Sequence, residues 1–146
     1  MQVSDADARL RAHEAAGRYV QIDEDRIFVR EEGNRKAPPV LLIHGVPTSS
    51  FLFRYLMTYI ARWHALAPDL PGLGLSSKRL DREYTWSALA RTLAQVVEAL
   101  NVGPVHLVLH DVGGPIGLQF AIEHPDQVRS ITLLNSPLKV AGFRPP

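Results

Sequence analysis

The sequence contains no cysteine, which excludes disulfide bonds, thiolate metal sites and a cysteine nucleophile. It also has no apolar run near the roughly 20 residues that a membrane-spanning helix needs. The charged N-terminal stretch lacks the apolar segment of a signal peptide. We therefore expect a cytoplasmic protein with no membrane partner. No two histidines have the spacing of metal ligands, so neither a metal nor a cofactor is predicted.

An excess of charge of one sign is also missing. The chain has 16 Lys and Arg residues against 15 Asp and Glu residues, a formal net charge of +1, and no basic block. Because a basic patch is what attracts nucleic acid or an anionic membrane, neither is an expected partner. What is present is an ordinary globular composition, 46% apolar over 146 residues. That length suits one domain with a buried core.

Short apolar and β-branched runs alternate with segments of helical periodicity. Strands are predicted at 18–22, 26–31, 40–43, 64–68, 105–109 and 128–135. Helices are predicted at 5–16, 51–63, 86–102 and 115–124. This alternation predicts an α/β fold, a mostly parallel sheet with helices on both faces.

Polar and glycine residues mark the predicted helix ends. Ser49 or Ser50 suits the N-cap of the second helix, and Thr85 suits that of the third. Gly17 and Gly103 suit the C-terminal ends of the first and third helices.

One stretch, LVLHDVGGPIG (107–117), joins a buried strand to a helix with almost no loop. Gly113 and Gly114 allow the strand and helix backbones to approach closely, and Pro115 suits the first helical position. Such a turn displays Asp111 at the carboxyl edge of the sheet, where ligands bind in α/β folds. These residues allow two interpretations of Asp111. Asp111 either caps the helix or is displayed there as a nucleophile.

Three loops expected at that edge resemble a known family. HGVPTSSFLFR (44–54), APDLPGLGLSS (67–77) and HDVGGPIG (110–117), in this order, resemble the α/β-hydrolase superfamily. Within it, the resemblance is to the branch with an aspartate nucleophile, the haloalkane dehalogenases and epoxide hydrolases. It extends over about residues 18 to 138. It implies the α/β-hydrolase fold and hydrolysis of a small organic substrate.

The resemblance also implies roles for single residues. Asp111 would attack an sp³ carbon and form an alkyl-enzyme ester. The backbone N–H groups of Val46 and Val112 would form an oxyanion hole when water attacks that ester.

Four further residues have supporting roles by the same resemblance. His44 and Gly45 would shape the oxyanion loop, and His44 is expected to organise that loop rather than to transfer protons. Gly113 and Gly114 would shape the turn that carries the nucleophile.

The sequence departs from the family pattern at residues that would identify the substrate. Haloalkane dehalogenases usually have Trp directly after the nucleophile and often Asn after the His–Gly pair, where this chain has Val112 and Val46. Epoxide hydrolases normally have a small residue two positions before the nucleophile, where this chain has Leu109. Leu109 favours a dehalogenase and the valines disfavour it, so both substrate classes remain open.

The general base of the family, a histidine beyond a cap domain, has no counterpart in this sequence. Asn135 stands 24 positions after the nucleophile, where some dehalogenases carry the triad acid. We therefore expect the N-terminal half of a larger enzyme, without the cap domain and C-terminal strands. Its expected parts are a helical segment (1–17), half of a hydrolase core (18–138) and the start of a cap linker (139–146).

Two classes of function follow. The chain is either a hydrolase, active in a longer form or with a complementing C-terminal half, or a non-catalytic fragment or binding module. An unpaired apolar strand at 128–135 also predicts self-association.

Overall fold

A computed structural model describes residues 5–137. The strands are β1 (Gly17–Ile22), β2 (Asp25–Gly33), β3 (Pro39–Ile43), β4 (His64–Pro68), β5 (Val105–His110) and β6 (Val128–Leu134). The α-helices are α1 (Asp5–Ala15), α2 (Arg54–Tyr59), α3 (Trp86–Leu100) and α4 (Gly113–Glu123). Two 3₁₀ helices occupy Ser50–Phe53 and Pro125–Gln127.

The strands form one mixed sheet in the order β1-β2-β4-β3-β5-β6. β2 pairs antiparallel with β1 and with β4, whereas β3 pairs parallel with β4 and β5, and β5 pairs parallel with β6. The predicted α/β fold with a mostly parallel sheet is confirmed. β1 and β2 form a hairpin, with Ile22 opposite Asp25 at its turn.

The core lies on both faces of the central strand β3, which is buried along its whole length. Leu41 and Ile43 pack with the apolar residues of α3 and α4 on one face. Val40 and Leu42 pack with Met57 of α2 and with the 3₁₀ helix on the other. Since successive side chains of a strand point to opposite faces, an unbroken apolar run is what a sheet covered on both sides requires.

The sheet is less covered at its β5–β6 end. Residues of β5 alternate between buried and half-buried, and residues 129–134 of β6 are exposed. β6 is the last strand in the order, so one of its edges carries no strand among residues 5–137. Each helix described within residues 5–137 is too short or too polar to span a membrane.

Several predicted helix boundaries were wrong. α2 ends at Tyr59 rather than Trp63, and beyond it the carbonyls of Ala61 and Trp63 both accept from the backbone N–H of Asn34. α3 ends at a left-handed Asn101 with φ 52°, two residues before the predicted glycine. Asn is the usual substitute for Gly in that conformation.

α4 begins at Gly113, two residues before the predicted Pro115. Gly17 does not cap α1; it lies in β1, where an added Cβ would be 2.3 Å from the Phe28 ring. The expected linker at 139–146 lies outside the described residues.

Candidate active site

The turn between β5 and α4 holds Asp111 in an unusual backbone conformation. Its φ is 52°, in the left-handed region that few non-glycine residues adopt. Its carbonyl accepts from the backbone N–H of Gly114 at 2.9 Å and from Oγ of Ser136 at 2.8 Å. The N-cap position of α4 is Val112, and no side chain caps it. The carboxylate is therefore displayed at the end of the sheet and does not cap the helix.

The carboxylate of Asp111 meets the loop that follows β3. The backbone N–H of Val46 donates to Oδ2 of Asp111 at 3.0 Å. At Gly45, an added Cβ would lie 2.3 Å from the same oxygen, so the contact depends on glycine. At Gly113 an added Cβ would lie 2.5 Å from the carbonyl oxygen of Ile43, which shows how closely α4 approaches β3.

His44 is fully buried at the start of this loop, and both of its ring nitrogens are engaged. Nε2 is 2.9 Å from the backbone N–H of Leu70, which can only donate, so Nε2 carries no proton. The proton therefore lies on Nδ1, which donates to the carbonyl of Gly45 at 2.8 Å. Burial lowers the pKa of His44. The imidazole is thus a neutral bridge between two loops.

Asp69 is a second organising residue of the site, which the sequence analysis did not identify. It is 1% exposed. Its Oδ1 accepts from the backbone N–H of Ser50 at 2.6 Å, and its Oδ2 accepts from that of Leu75 at 2.7 Å. It thereby joins the loop after β3 to the loop after β4. The available signal was an acid directly after an apolar strand, the same pattern as at Asp111.

A cavity of about 440 Å³ opens beside Val46 and Val112. Most of its wall is apolar, and two cationic side chains stand in the same lining. The lining residues are Val46, Leu70, Pro71, Gly72, Leu73, Lys78, Arg79, Leu80, Tyr84, Trp86, Leu89, Val112 and Ile116. The cavity suits a small ligand with an apolar body.

No histidine among residues 5–137 forms a hydrogen bond with the Asp111 carboxylate. His64 bonds Glu31 at 2.7 Å, and His106 bonds Ser130 at 2.8 Å. His110 precedes Asp111, and its buried Nδ1 has no hydrogen-bond partner in the described part of the chain. Within that part, no three potential metal-ligating side chains lie together.

Comparison with known proteins gives a consistent set of relatives. A family model described as alpha/beta hydrolase fold matches residues 38–145. A haloalkane dehalogenase from Psychrobacter cryohalolentis is 34% identical over 140 residues, covering 86% of this chain and 46% of its own.

Solved structures of different named activities share the fold. An epoxide hydrolase has a TM-score of 0.79 and 28% identity, with coverage of 89% of this chain and 46% of its own. A membrane phospholipase A has a TM-score of 0.86 and 31% identity, with coverage of 95% and 46%. The chain thus spans less than half the length of these proteins.

Proposed function

The chain belongs to the alpha/beta hydrolase fold family, and we propose that Asp111 is the nucleophile of a hydrolase acting on a small organic substrate. One carboxylate oxygen forms a C–O bond to an sp³ carbon, and the leaving group departs with the electron pair of the bond it loses. The product is an alkyl-enzyme ester. The observation that carries the proposal is the left-handed Asp111, with its carboxylate bonded to the Val46 N–H.

Backbone geometry supports an oxyanion hole as well. The Val46 N–H already points at the carboxylate, and Val112 is the N-cap residue of α4, at the helix end whose N–H groups lack intrahelical partners. In the proposed second step, water attacks the ester carbonyl, and both N–H groups stabilise the developing negative charge. Two valines can fill this role, because the donors are backbone atoms.

The proposed substrates are haloalkanes or epoxides. The apolar cavity beside Val46 and Val112 supports an alkyl body. A relative named haloalkane dehalogenase and a structural neighbour named epoxide hydrolase are both similar to this chain. Neither valine offers a side-chain donor to a leaving group. Labelling with a haloalkane and with an epoxide therefore has to distinguish the two substrate classes.

A second candidate function is covalent or non-covalent capture without turnover. It is favoured by the absence, within residues 5–137, of a histidine hydrogen-bonded to the Asp111 carboxylate. Hydrolysis of the ester needs a positioned base, whose contribution is typically about 10²–10⁴-fold. His44 cannot supply it, because both of its ring nitrogens are engaged.

The test is covalent labelling. The protein is incubated with a reactive haloalkane or an epoxide, and the adduct is located by intact-mass measurement and peptide mapping. We expect one adduct, on Asp111, that Asp111→Asn abolishes. Asp126→Asn, at an exposed carboxylate, is the matched control and should label normally. An adduct on another carboxylate that survives Asp111→Asn would refute the assignment.

A further inference from the structure

The N-terminal helix α1 buries a single side chain against the rest of the protein. Of its residues only His13 is buried, at 3% exposure, whereas its largest apolar residue, Leu10, is 50% exposed. A surface helix normally docks through an apolar stripe that covers about a third of its circumference. α1 has no such stripe, so its buried contacts are those of His13, supplemented at the surface by a hydrogen bond from the hydroxyl of Tyr19 to Glu14 at 2.8 Å.

His13 contacts three other parts of the chain. Nδ1 lies 3.2 Å from Nη1 of Arg30 in β2, and Nε2 lies 3.0 Å from Oγ of Ser50 in the 3₁₀ helix. The ring packs against Phe28 at 5.5 Å and edge-on against Phe51 at 5.1 Å between centroids. These contacts place the imidazole between α1, the sheet and the 3₁₀ helix.

The hydrogen bonds require a neutral imidazole. A guanidinium has only donors, so Nδ1 must accept from Arg30 and cannot carry a proton. The ring proton therefore lies on Nε2 and donates to Ser50. Protonating Nδ1 would turn this acceptor into a donor that faces another donor, with both groups positively charged.

The charges around His13 come from several elements. Arg30 of β2 and Arg54 at the start of α2 disfavour a proton on the ring, while Asp69 after β4 favours it. The carboxylate of Asp69 already accepts from two backbone N–H groups, and Arg30 is itself paired with Glu32 at 2.9 Å. Burial, with Arg30 as the next cause, lowers the pKa of His13.

We propose that α1 is an acid-released element: protonation of His13 detaches residues 5–15 from the 3₁₀ helix while the sheet stays folded. Release would uncover the ring of Phe51 and the hydroxyl of Ser50. The backbone N–H of Ser50 donates to Oδ1 of Asp69. Ser50 directly follows the loop after β3, and that loop reaches Asp111 through Val46. This inference stands apart from the proposed hydrolase function, because it invokes neither Asp111 nor a substrate.

The experiment is amide hydrogen exchange of the full chain at about pH 8 and about pH 5, the range over which histidine charge changes. Rates are corrected for the intrinsic pH dependence of exchange. We expect peptides from α1 to lose protection at the lower pH, while peptides from β3 and β5 keep theirs. Below pH 6.5, the protection of α1 should fall by up to about tenfold for each pH unit.

Two variants separate this mechanism from general acid unfolding. In His13→Gln, the amide can accept from Arg30 and donate to Ser50 but cannot be protonated, so α1 should stay equally protected at both pH values. In Arg30→Met, the cation facing Nδ1 is gone, so the acid-induced loss should shrink. The proposal is overturned if both variants lose as much protection as the wild type. It is also overturned if α1 is equally protected at both pH values, or if β3 and β5 open together with it.

Discussion

Val46 and Asp111 stand 65 positions apart in the sequence, and the backbone N–H of one donates to Oδ2 of the other at 3.0 Å. The bond holds one carboxylate oxygen in place. The second oxygen, Oδ1, accepts no hydrogen bond within residues 5–137. A carboxylate with one fixed and one free oxygen is oriented for attack by the free one, which supports the proposed nucleophilic role.

The contact between these loops has no room for a side chain at Gly45. In Gly45→Ala, the added Cβ would lie 2.3 Å from Oδ2 of Asp111. The carboxylate must then move, and we expect adduct formation to fall by about 10²-fold, the effect of a displacement near 1 Å. The rate of labelling by a reactive haloalkane measures it. Gly103→Ala is the control: its Cβ would meet nothing within 4 Å, although its φ is +73°. It should lose some stability and label normally, and equal labelling of both variants would contradict the prediction.

Replacement of the buried Asp69 tests its structural role. Asp69→Asn keeps one acceptor and points an NH₂ group at either the Ser50 or the Leu75 N–H. We expect a loss of about 1–3 kcal/mol in the free energy of unfolding, the cost of a buried unpaired polar group. Urea denaturation measures it, with the exposed Asp126→Asn as a control expected within about 0.5 kcal/mol of wild type. Equal stability of the two variants would show that Asp69 does not hold the loops together.

The chain of 146 residues should form the ester faster than it hydrolyses it. Our reason is that no histidine bonds the Asp111 carboxylate in the described range. Quench-flow mass spectrometry should show at most one slow turnover, with the alkyl-enzyme as the persistent species. Sustained multiple turnover by the purified chain would contradict this expectation, and His110, next to the nucleophile, would then be the first residue to replace.

Stability should decrease on acidification because two buried histidines must be neutral. Burial lowers the pKa of both His13 and His44 below the ordinary 6.5. The unfolded chain therefore binds protons first, so stability is complete above 6.5 and is lost as the pH falls from there toward the folded-state pKa values. Each group contributes up to about 1.4 kcal/mol per pH unit in that window. Denaturation midpoints from about pH 8 to about pH 5 measure the slope. His13→Gln and His44→Gln should each flatten it, and an unchanged slope in both would disprove the linkage.

The edge of β6 should cause self-association. Ile131, Leu133 and Leu134 are 40%, 37% and 37% exposed on a strand with one unpaired edge among residues 5–137. Unpaired apolar edges recruit further strands, and a single charge on such an edge opposes this. Size-exclusion chromatography with light scattering should show oligomers for the wild type and a shift toward monomer for Ile131→Lys. A stable wild-type monomer at micromolar concentration would be the contrary result.

Local signals were sufficient for most of the fold. Thr85 was predicted as an N-cap, and its side chain accepts from the N–H of Ala88. The unbroken apolar run of β3 predicted a strand covered on both faces, and it is buried throughout. Such features depend on residues a few positions apart in the chain, so they can be recognised in a single sequence.

The features that were missed depend on distant partners. Past the end of α2, the carbonyls of Ala61 and Trp63 pair with the backbone N–H of Asn34, nearly 30 positions away. At Gly17, an added Cβ would collide with the Phe28 ring, a contact that the local sequence does not reveal. For Asp69, the sequence showed an acid after a strand but not the two backbone N–H groups that surround it. Tertiary contacts of this kind leave no periodic pattern.

The contacts of Asp111 also bear on the order in which parts of the protein fold. Its contacts come from Val46, which lies 65 positions before it, and from Ser136, which lies 25 positions after it. Bringing such distant segments together carries a loop-closure cost that only the assembled parallel sheet offsets. The oriented carboxylate therefore forms with the sheet and cannot precede it. If Asp111 reacts as proposed, the rate at which it becomes labelled during refolding would report completion of the whole fold rather than formation of local helices.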